Sequence, residues 1–281
     1  MGLRITTLSE NGVGTIGAGL LLAEWGLSIL VETDEVTILL DAGKSISVSN
    51  NADVLGIDLS KIDKIVLSHG HFDHTGGLRH VLRKMRKGVE IIAHPDVWAA
   101  KYNRRQGQAD KYIGIPFQRN ELESLGAGFN LTTKAVKITN NIMTTGEIPM
   151  VTDFEQIEPY LWVKEDAEWQ PDKLLDDQAL IITTELGLVV VLGCAHRGII
   201  NTLYHAQQLT GIEQIHTVLG GAHLLHASEE RLRETMGALK VLGVQRLGLC
   251  HCTGFQVITV IAPEFGDRFF FNTTGTSLSV P

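Results

Sequence analysis

The sequence predicts an α/β chain of the α+β kind, with two β-rich halves packed sheet against sheet and helices outside. Three observations lead there. Each half opens with apolar runs broken by tight-turn residues and continues as strand–loop–helix units. Histidines fall where strands end in both halves. The composition over 281 residues, 44% hydrophobic and 20% charged, is that of a globular protein with a large core.

Taken in order, Leu3 to Thr7 reads as an opening strand. The apolar run Ile16 to Val31 is interrupted by Glu24 and Trp25, and no cleavage pattern follows. It is expected to be buried strand and turn, not a signal peptide or membrane span. Gly19 to Leu22, Leu27 to Thr33 and Val36 to Asp41 are expected strands, with Thr33-Asp34-Glu35 as a hairpin loop. A helix is expected over Val48 to Leu55, then a buried strand over residues 64–68.

In the second half, Gln178 to Glu185 and Leu188 to Leu192 form a hairpin across Leu186-Gly187. A helix is expected from Ile199 to Leu209, a strand from His216 to Leu219, a helix from Glu229 to Leu242 and a strand from Arg246 to Cys250. The whole of 1–281 is read as a single domain. The stretch of about 95–176 has weak strand periodicity and holds Trp98, Trp162 and Trp169, so it is expected to be an insertion covering the site. Its charge cluster around Lys101, Arg104 and Arg105 reads as a solvated helix face.

The formal net charge of −8 argues against a general nucleic-acid binder. Three cysteines, Cys194, Cys250 and Cys252, form no disulfide framework and fit a reducing cytoplasm. Cys194 and Cys252 are read as small buried residues packing the neighbouring loops.

The chemistry concentrates in His69-Gly70-His71-Phe72-Asp73-His74. Imidazole and carboxylate are common ligands of zinc and related divalent ions. Alternate side chains of an extended segment share a face, so His69 and His71 can serve one metal. Asp73 and His74 point apart and suit a second. His196 and His251 also follow strand ends. The sets expected are His69, His71 and His196 for one ion, and Asp73, His74 and His251 for the other. Two ions about 3.5–4 Å apart can activate a water near neutral pH.

This pattern resembles the metallo-β-lactamase superfamily over nearly the whole chain. The resemblance implies a metallo-β-lactamase-like αββα sandwich, a dinuclear site and usually hydrolysis. It gives Asp41, in Leu39-Leu40-Asp41-Ala42-Gly43, the role of supporting the histidine loop, and Asp73 a catalytic role in orienting the nucleophile. Most hydrolases of the superfamily have a metal-bridging Asp between the third-motif His and the last His, but none lies between His196 and His251. His223, at the end of Gly220-Gly221-Ala222, stands at that strand end. Either it ligates in place of the bridge or the second metal is weak or absent.

Further segments are similar to the branch of dihydropterin–ribofuranosylaminobenzene phosphate synthase: Glu24-Trp25-Gly26-Leu27-Ser28, Thr145-Gly146-Glu147-Ile148-Pro149, Asp176-Asp177-Gln178-Ala179-Leu180, Gly193-Cys194-Ala195-His196-Arg197-Gly198 and His251-Cys252-Thr253-Gly254. That resemblance implies a phosphate- or diphosphate-bearing small molecule, and it makes Glu147 and Asp177 pocket residues. Arg197 could bind a substrate anion through its planar fork.

The leading expectation is a cytoplasmic metal-dependent hydrolase. A metal-bound hydroxide would attack an ester or phosphoester. Zinc is the expected metal, as one or two ions, with magnesium or manganese as alternatives. A transferase acting on a pterin-type diphosphate and a catalytically silent metal- or ligand-binding protein are the rivals. No nucleic-acid or membrane partner is expected.

Overall fold

The computed structural model describes residues 2–14 and 20–281. The first part runs β1 (Leu3–Ser9), β2 (Ser28–Glu32), β3 (Thr37–Leu40), α1 (Ser47–Val54), β4 (Lys64–Val66), α2 (Phe72–Thr75), α3 (Leu78–Met85) and β5 (Val89–Ala93). The middle gives β6 (Lys101–Asn103), β7 (Lys111–Tyr112), α4 (Arg119–Ser124), β8 (Ala127–Leu131), β9 (Ile142–Thr144), β10 (Leu161–Glu165) and β11 (Glu168–Pro171). The last part gives β12 (Ala179–Thr184), β13 (Gly187–Leu192), α5 (Ile199–Thr210), β14 (Ile215–Gly221), α6 (Glu229–Val241), β15 (Arg246–Cys250), α7 (Phe255–Phe265) and β16 (Ser277–Val280).

Two sheets face each other. One has seven strands in the order β16-β1-β2-β3-β4-β5-β8, the other five in the order β15-β14-β13-β12-β9. Successive side chains of a strand leave on opposite faces. Ile29, Val31, Ile38, Leu40, Val66 and Ile92 of the larger sheet therefore pack with Leu180, Ile182, Val189, Val191 and Leu219 of the smaller. Their neighbours Leu30, Leu39, Ile65 and Ile91 point outward and pack with Val48, Val81 and Leu82 of α1 and α3. On the far side, Ile181, Val190, Val218 and Leu249 pack with Leu203, Leu239 and Ile261 of α5, α6 and α7. With both faces of each sheet covered, the strands read as unbroken apolar runs instead of alternating ones. This is the αββα sandwich the sequence led us to expect.

The helices follow local rules. α3 buries Leu78, Val81, Leu82 and Met85, spaced three and four apart on one face. α5 stops at Gly211, whose φ of 70° suits glycine. The Ser228 side chain accepts from Arg231 N to start α6, with Glu229 and Glu230 in the first turn.

The topology also places the loops of interest. β3, β4, β5 and β8 run parallel, as do β13, β14 and β15. The carboxyl ends of parallel strands share an edge, where ligand sites commonly lie. Asp41, residues 69–74, residues 194–196, His223 and His251 all follow such ends.

Two expectations need correction. The strand over Gly19 to Leu22 begins outside the described residues, and Leu20 to Leu22 form no strand. Leu20 is 73% exposed, so the apolar run is buried only from Leu27 onward. The Asn51 amide of α1 bonds both Leu22 N and Leu22 O, which hangs this segment on a helix instead of a sheet. The stretch 95–176 does not stay together. Its β8 and β9 join the two main sheets, and only β11-β10-β6-β7 form a separate four-stranded sheet. Its charge cluster begins in strand β6 and continues as loop, not a helix, and Lys101 is wholly buried. Among the described residues, no helix is long and apolar enough to cross a membrane.

Candidate metal centre

β4 ends at Val66, and through Leu67 and the buried Ser68 the backbone enters the histidine loop. Asp41 stands directly behind it, with positive φ at 59°. Asp41 accepts from Ser68 N at 2.7 Å and Ser68 Oγ at 2.6 Å, and pairs with His74 Nδ1 at 2.6 Å. That pairing turns His74 Nε2 toward Cys194 Sγ, 3.0 Å away. His69 Nε2 and His71 Nδ1 lie 3.0 Å apart. The loop is fixed from the other side as well, since Gly70 N donates to Asp176 Oδ2 at 2.8 Å and Gln178 Nε2 donates to Leu67 O at 2.9 Å.

The opposite sheet brings its loops to within contact. A Cβ on Gly193 would lie 2.1 Å from Ser68 Oγ, so only glycine permits this approach of β13 to β4. Ala195, His223 and His251 all have positive φ, at 49°, 45° and 53°. Non-glycine residues held this way cost roughly 1–3 kcal/mol each, and such positions gather at functional sites. His251 is held by the N-terminal loop: its N donates to Glu10 Oε1 at 2.7 Å and its Nδ1 meets Asn11 Oδ1 at 2.9 Å. Its Nε2 then faces Asp73 Oδ2 at 3.4 Å.

Three groups of side chains could hold an ion, each with ligand atoms within 4.8 Å of one another: His69, Cys194 and His196; His74, Cys194 and His251; and Glu158, His196 and His223. The fit to a metal can be judged from unpaired atoms. His71 Nε2, both nitrogens of His196 and His251 Nε2 are buried with no hydrogen-bond partner. Leaving a buried polar group unsatisfied costs about 1–3 kcal/mol. Four such nitrogens on histidines of one cluster fit the donor set of a transition metal.

The electrostatics agree. Burial pushes His69 and His71 well below the usual imidazole range, and their neighbouring histidines add to it. Burial, followed by the charge of His223, brings His196 to about 4. These rings are therefore neutral, as ligands must be. Burial opposes charge on His74 too, but the Asp41 carboxylate outweighs it and raises His74 to about 9 in the metal-free site. Burial likewise works against ionising Asp73, yet the facing His251 and the nearby His74 hold the carboxyl well below the usual range.

The site opens into a cavity of about 390 Å³ lined by His71, Asp73, Cys194, His196, His223 and Cys252 at its base. Lys44, Arg105 and Lys111 bring positive charge to its walls, and Trp25, Phe72 and Tyr160 bring flat rings. The separate four-stranded sheet supplies Asn103, Lys111 and Leu161 of this lining.

The candidate residues thus divide. His69, His71, Asp73, His74, His196 and His251 come together, with Asp41 behind them. His223 stands beside them at the cavity base, grouped with His196 and Glu158, its Nδ1 paired with Glu158 Oε1 at 2.7 Å. The residue common to both histidine sets is Cys194, which stands before His196, not between His196 and His251. Arg197, Glu147 and Asp177 are not brought to the cavity. The Arg197 fork is spent on the carbonyls of Ile148 and Lys173. Glu147 pairs with His94 at 3.0 Å. Asp177 is buried, accepting from Arg197 N at 2.8 Å. Glu158, Glu10 and Asn11 were missed, because a single acid or amide far along the chain carries no local pattern.

The fold and this edge site place the chain in the metallo-beta-lactamase superfamily, whose model matches residues 26–251. Members of that superfamily are metal-dependent. The 7,8-dihydropterin-6-methyl-4-(beta-D-ribofuranosyl)-aminobenzene-5'-phosphate synthase of Methanocaldococcus jannaschii is 32% identical over 280 residues, covering 95% of this chain and 93% of the relative. The crystal structure of Tm1679, a metal-dependent hydrolase of the beta-lactamase superfamily, superposes with a TM-score of 0.83 at 28% identity, covering 99% of each chain. A diphosphatase of the PhnP family, at 14% identity and a TM-score of 0.54 over 100% of this chain and 98% of that one, shares the fold.

Proposed function

We propose that this chain is a metal-dependent enzyme that hydrolyses an ester or phosphoester bond in a small anionic substrate. The observation that supports it most is the set of buried imidazole nitrogens without partners, gathered at the base of a cavity with cationic walls. His69, His71 and His196 would hold one divalent ion, with zinc the first choice, and Asp73, His74 and His251 a second. Such a pair supplies an activated water near neutral pH and neutralises charge developing on the substrate oxygens.

The chain's own residues do the remaining work. Asp41 fixes the ring of His74 and the backbone of Ser68. Asp73 stays ionised and is aligned by His251, so it can accept a hydrogen bond from an attacking water as well as ligate. Lys44, Arg105 and Lys111 draw an anion toward the base of the cavity. Glu158 occupies His223 Nδ1, which leaves Nε2 as the nitrogen free to meet a substrate.

A second reading is group transfer to an amine-bearing aromatic acceptor. Two observations favour it: the M. jannaschii relative is named a synthase, and Trp25, Phe72 and Tyr160 offer flat surfaces on which a ring can stack.

Metal analysis of the full chain, followed by assays on phosphoester, phosphodiester, lactone and thioester substrates, tests the hydrolytic reading. Turnover that needs an aromatic amine, and releases no product in water alone, would replace it with transfer. His71→Ala should lose bound metal and turnover while keeping its far-ultraviolet circular dichroism. Full metal content and full turnover in that variant would overturn the site.

A further inference from the structure

Among the described residues, Cys194 is the residue shared by the group of His69 and His196 and the group of His74 and His251. Its Sγ lies within 4.8 Å of the ligand nitrogens of His69 and His196 on one side and of His74 and His251 on the other. The contact with His74 Nε2 is 3.0 Å.

No carboxylate shares that position. Asp41 is committed to Ser68 and His74, Asp73 faces His251 at 3.4 Å, and Glu158 is paired with His223. The other two cysteines are placed differently. Cys250 Sγ accepts from Asn272 Nδ2, and Cys252 Sγ accepts from His223 N and approaches Cys194 O. Neither enters a potential ligand group.

The backbone is shaped to put this sulfur there. Gly193 lets the end of β13 press against Ser68, and the left-handed Ala195 turns the chain so that Cys194 and His196 face the same space. Cys194 itself is 3% exposed and lies at the base of the cavity, beside the candidate imidazoles.

We infer that Cys194 supplies a thiolate shared by the two metal positions, and that the centre therefore takes thiophilic ions in preference to magnesium or manganese. A sulfur has lone pairs enough to contact two ions at once, and soft thiolate ligands select zinc, iron or cobalt over hard oxygen-seeking ions. On ligation the S–H bond breaks, its proton passes to solvent, and sulfur lone pairs form the metal bonds. No oxidant or reductant is involved. The inference rests on the metal-centre reading above and deepens it.

Cobalt(II) gives a readout independent of activity. The full chain is loaded with cobalt under reducing, anaerobic conditions, its ions are counted by elemental analysis, and its near-ultraviolet absorption is recorded. The native chain should bind two ions per chain and show a thiolate-to-cobalt charge-transfer band. Cys252→Ser should keep that band. Cys194→Asp should keep both ions and lose the band, and its preference for zinc over manganese should fall in competition titrations. Should Cys194→Asp fail to fold, the native and Cys252→Ser spectra and the native zinc–manganese competition still decide. Two ions bound with no band, a band lost in Cys252→Ser, or a band that survives in Cys194→Asp would overturn the role of Cys194 alone. No metal uptake by the native chain would overturn the metal centre with it.

Discussion

Asp41 and Asp177 are both buried acids with different partners. Asp41 spends its oxygens on Ser68 and His74. Groups that orient a metal ligand are worth about 10–100-fold in affinity. Asp41→Asn, which tolerates the left-handed backbone, should weaken metal binding by about that factor with little change in fold, as read by competition with a chromophoric chelator. Asp177 accepts from Arg197 N, but its Oδ1 has no partner. Burial raises it from an ordinary 3.8 to about 7. An acid whose folded value lies above its unfolded value favours folding at low pH, and that contribution is lost as pH rises through the folded value. The metal-free chain should therefore lose stability between about pH 4 and pH 7, by at most about 4 kcal/mol from this group. Urea midpoints across that window should be flatter for Asp177→Asn; equal slopes would mean that the carboxyl stays ionised. The hexapeptide at 69–74 was legible because its candidate ligands lie within six residues and the alternation of an extended chain sorts them. Cys194 did not stand out in the sequence, because a single cysteine two residues before a histidine carries no ligand pattern, although the turn Gly193-Cys194-Ala195-His196 brings both side chains to one space.

At the scale of elements, the small sheet joins the rest through one buried cation. Lys101 of β6 donates to Asp172 Oδ2 at 2.8 Å and Asp176 Oδ1 at 2.9 Å, and Asp176 also receives Gly70 N from the histidine loop. Burial works against the charge on Lys101, but the two acids outweigh it and raise the ammonium above its usual value. Its contribution is thus full at neutral pH and is lost only as pH climbs past the ordinary lysine range. Removing one partner of a buried ion pair strands the other and costs about 3–5 kcal/mol. Lys101→Met should lower stability by about that much in urea unfolding. A variant as stable as the native chain would mean the two acids share a proton without the lysine. Lys-Tyr-Asn-Arg-Arg looks like a solvated run in sequence, because the acids that bury its lysine lie some seventy residues on. The strands from β12 to β15 were plain, because being covered on both faces makes each an apolar run, and β13, β14 and β15 end at or just before glycine or histidine. Leu20 to Leu22 misled for a related reason: apolar content alone does not say whether a partner strand exists, and here Asn51 takes up the backbone instead.

At the scale of the molecule, the candidate ligands come from both sheets: His69, His71, Asp73 and His74 follow β4 of the larger, and Cys194, His196 and His251 follow β13 and β15 of the smaller. A ligand that binds only the folded state adds stability by mass action, about 4 kcal/mol at a thousand times its Kd. Chelation should lower the Tm by roughly 10 °C for a chain of this size, and zinc should restore it; an unchanged Tm would mean that no metal is held by the folded chain. The sandwich then resembles a book with a clasp on one edge. Elsewhere its two covers are pressed together by aliphatic side chains, which resist separation but do not fix position. At the clasped edge, buried imidazoles without partners sit on facing pages. Opening without metal should therefore start there and leave the far margin closed. Amide exchange on chelation would rise first in the turns after β4, β13 and β15, while the Leu186-Gly187 turn at the other end of β13 stays as protected as before.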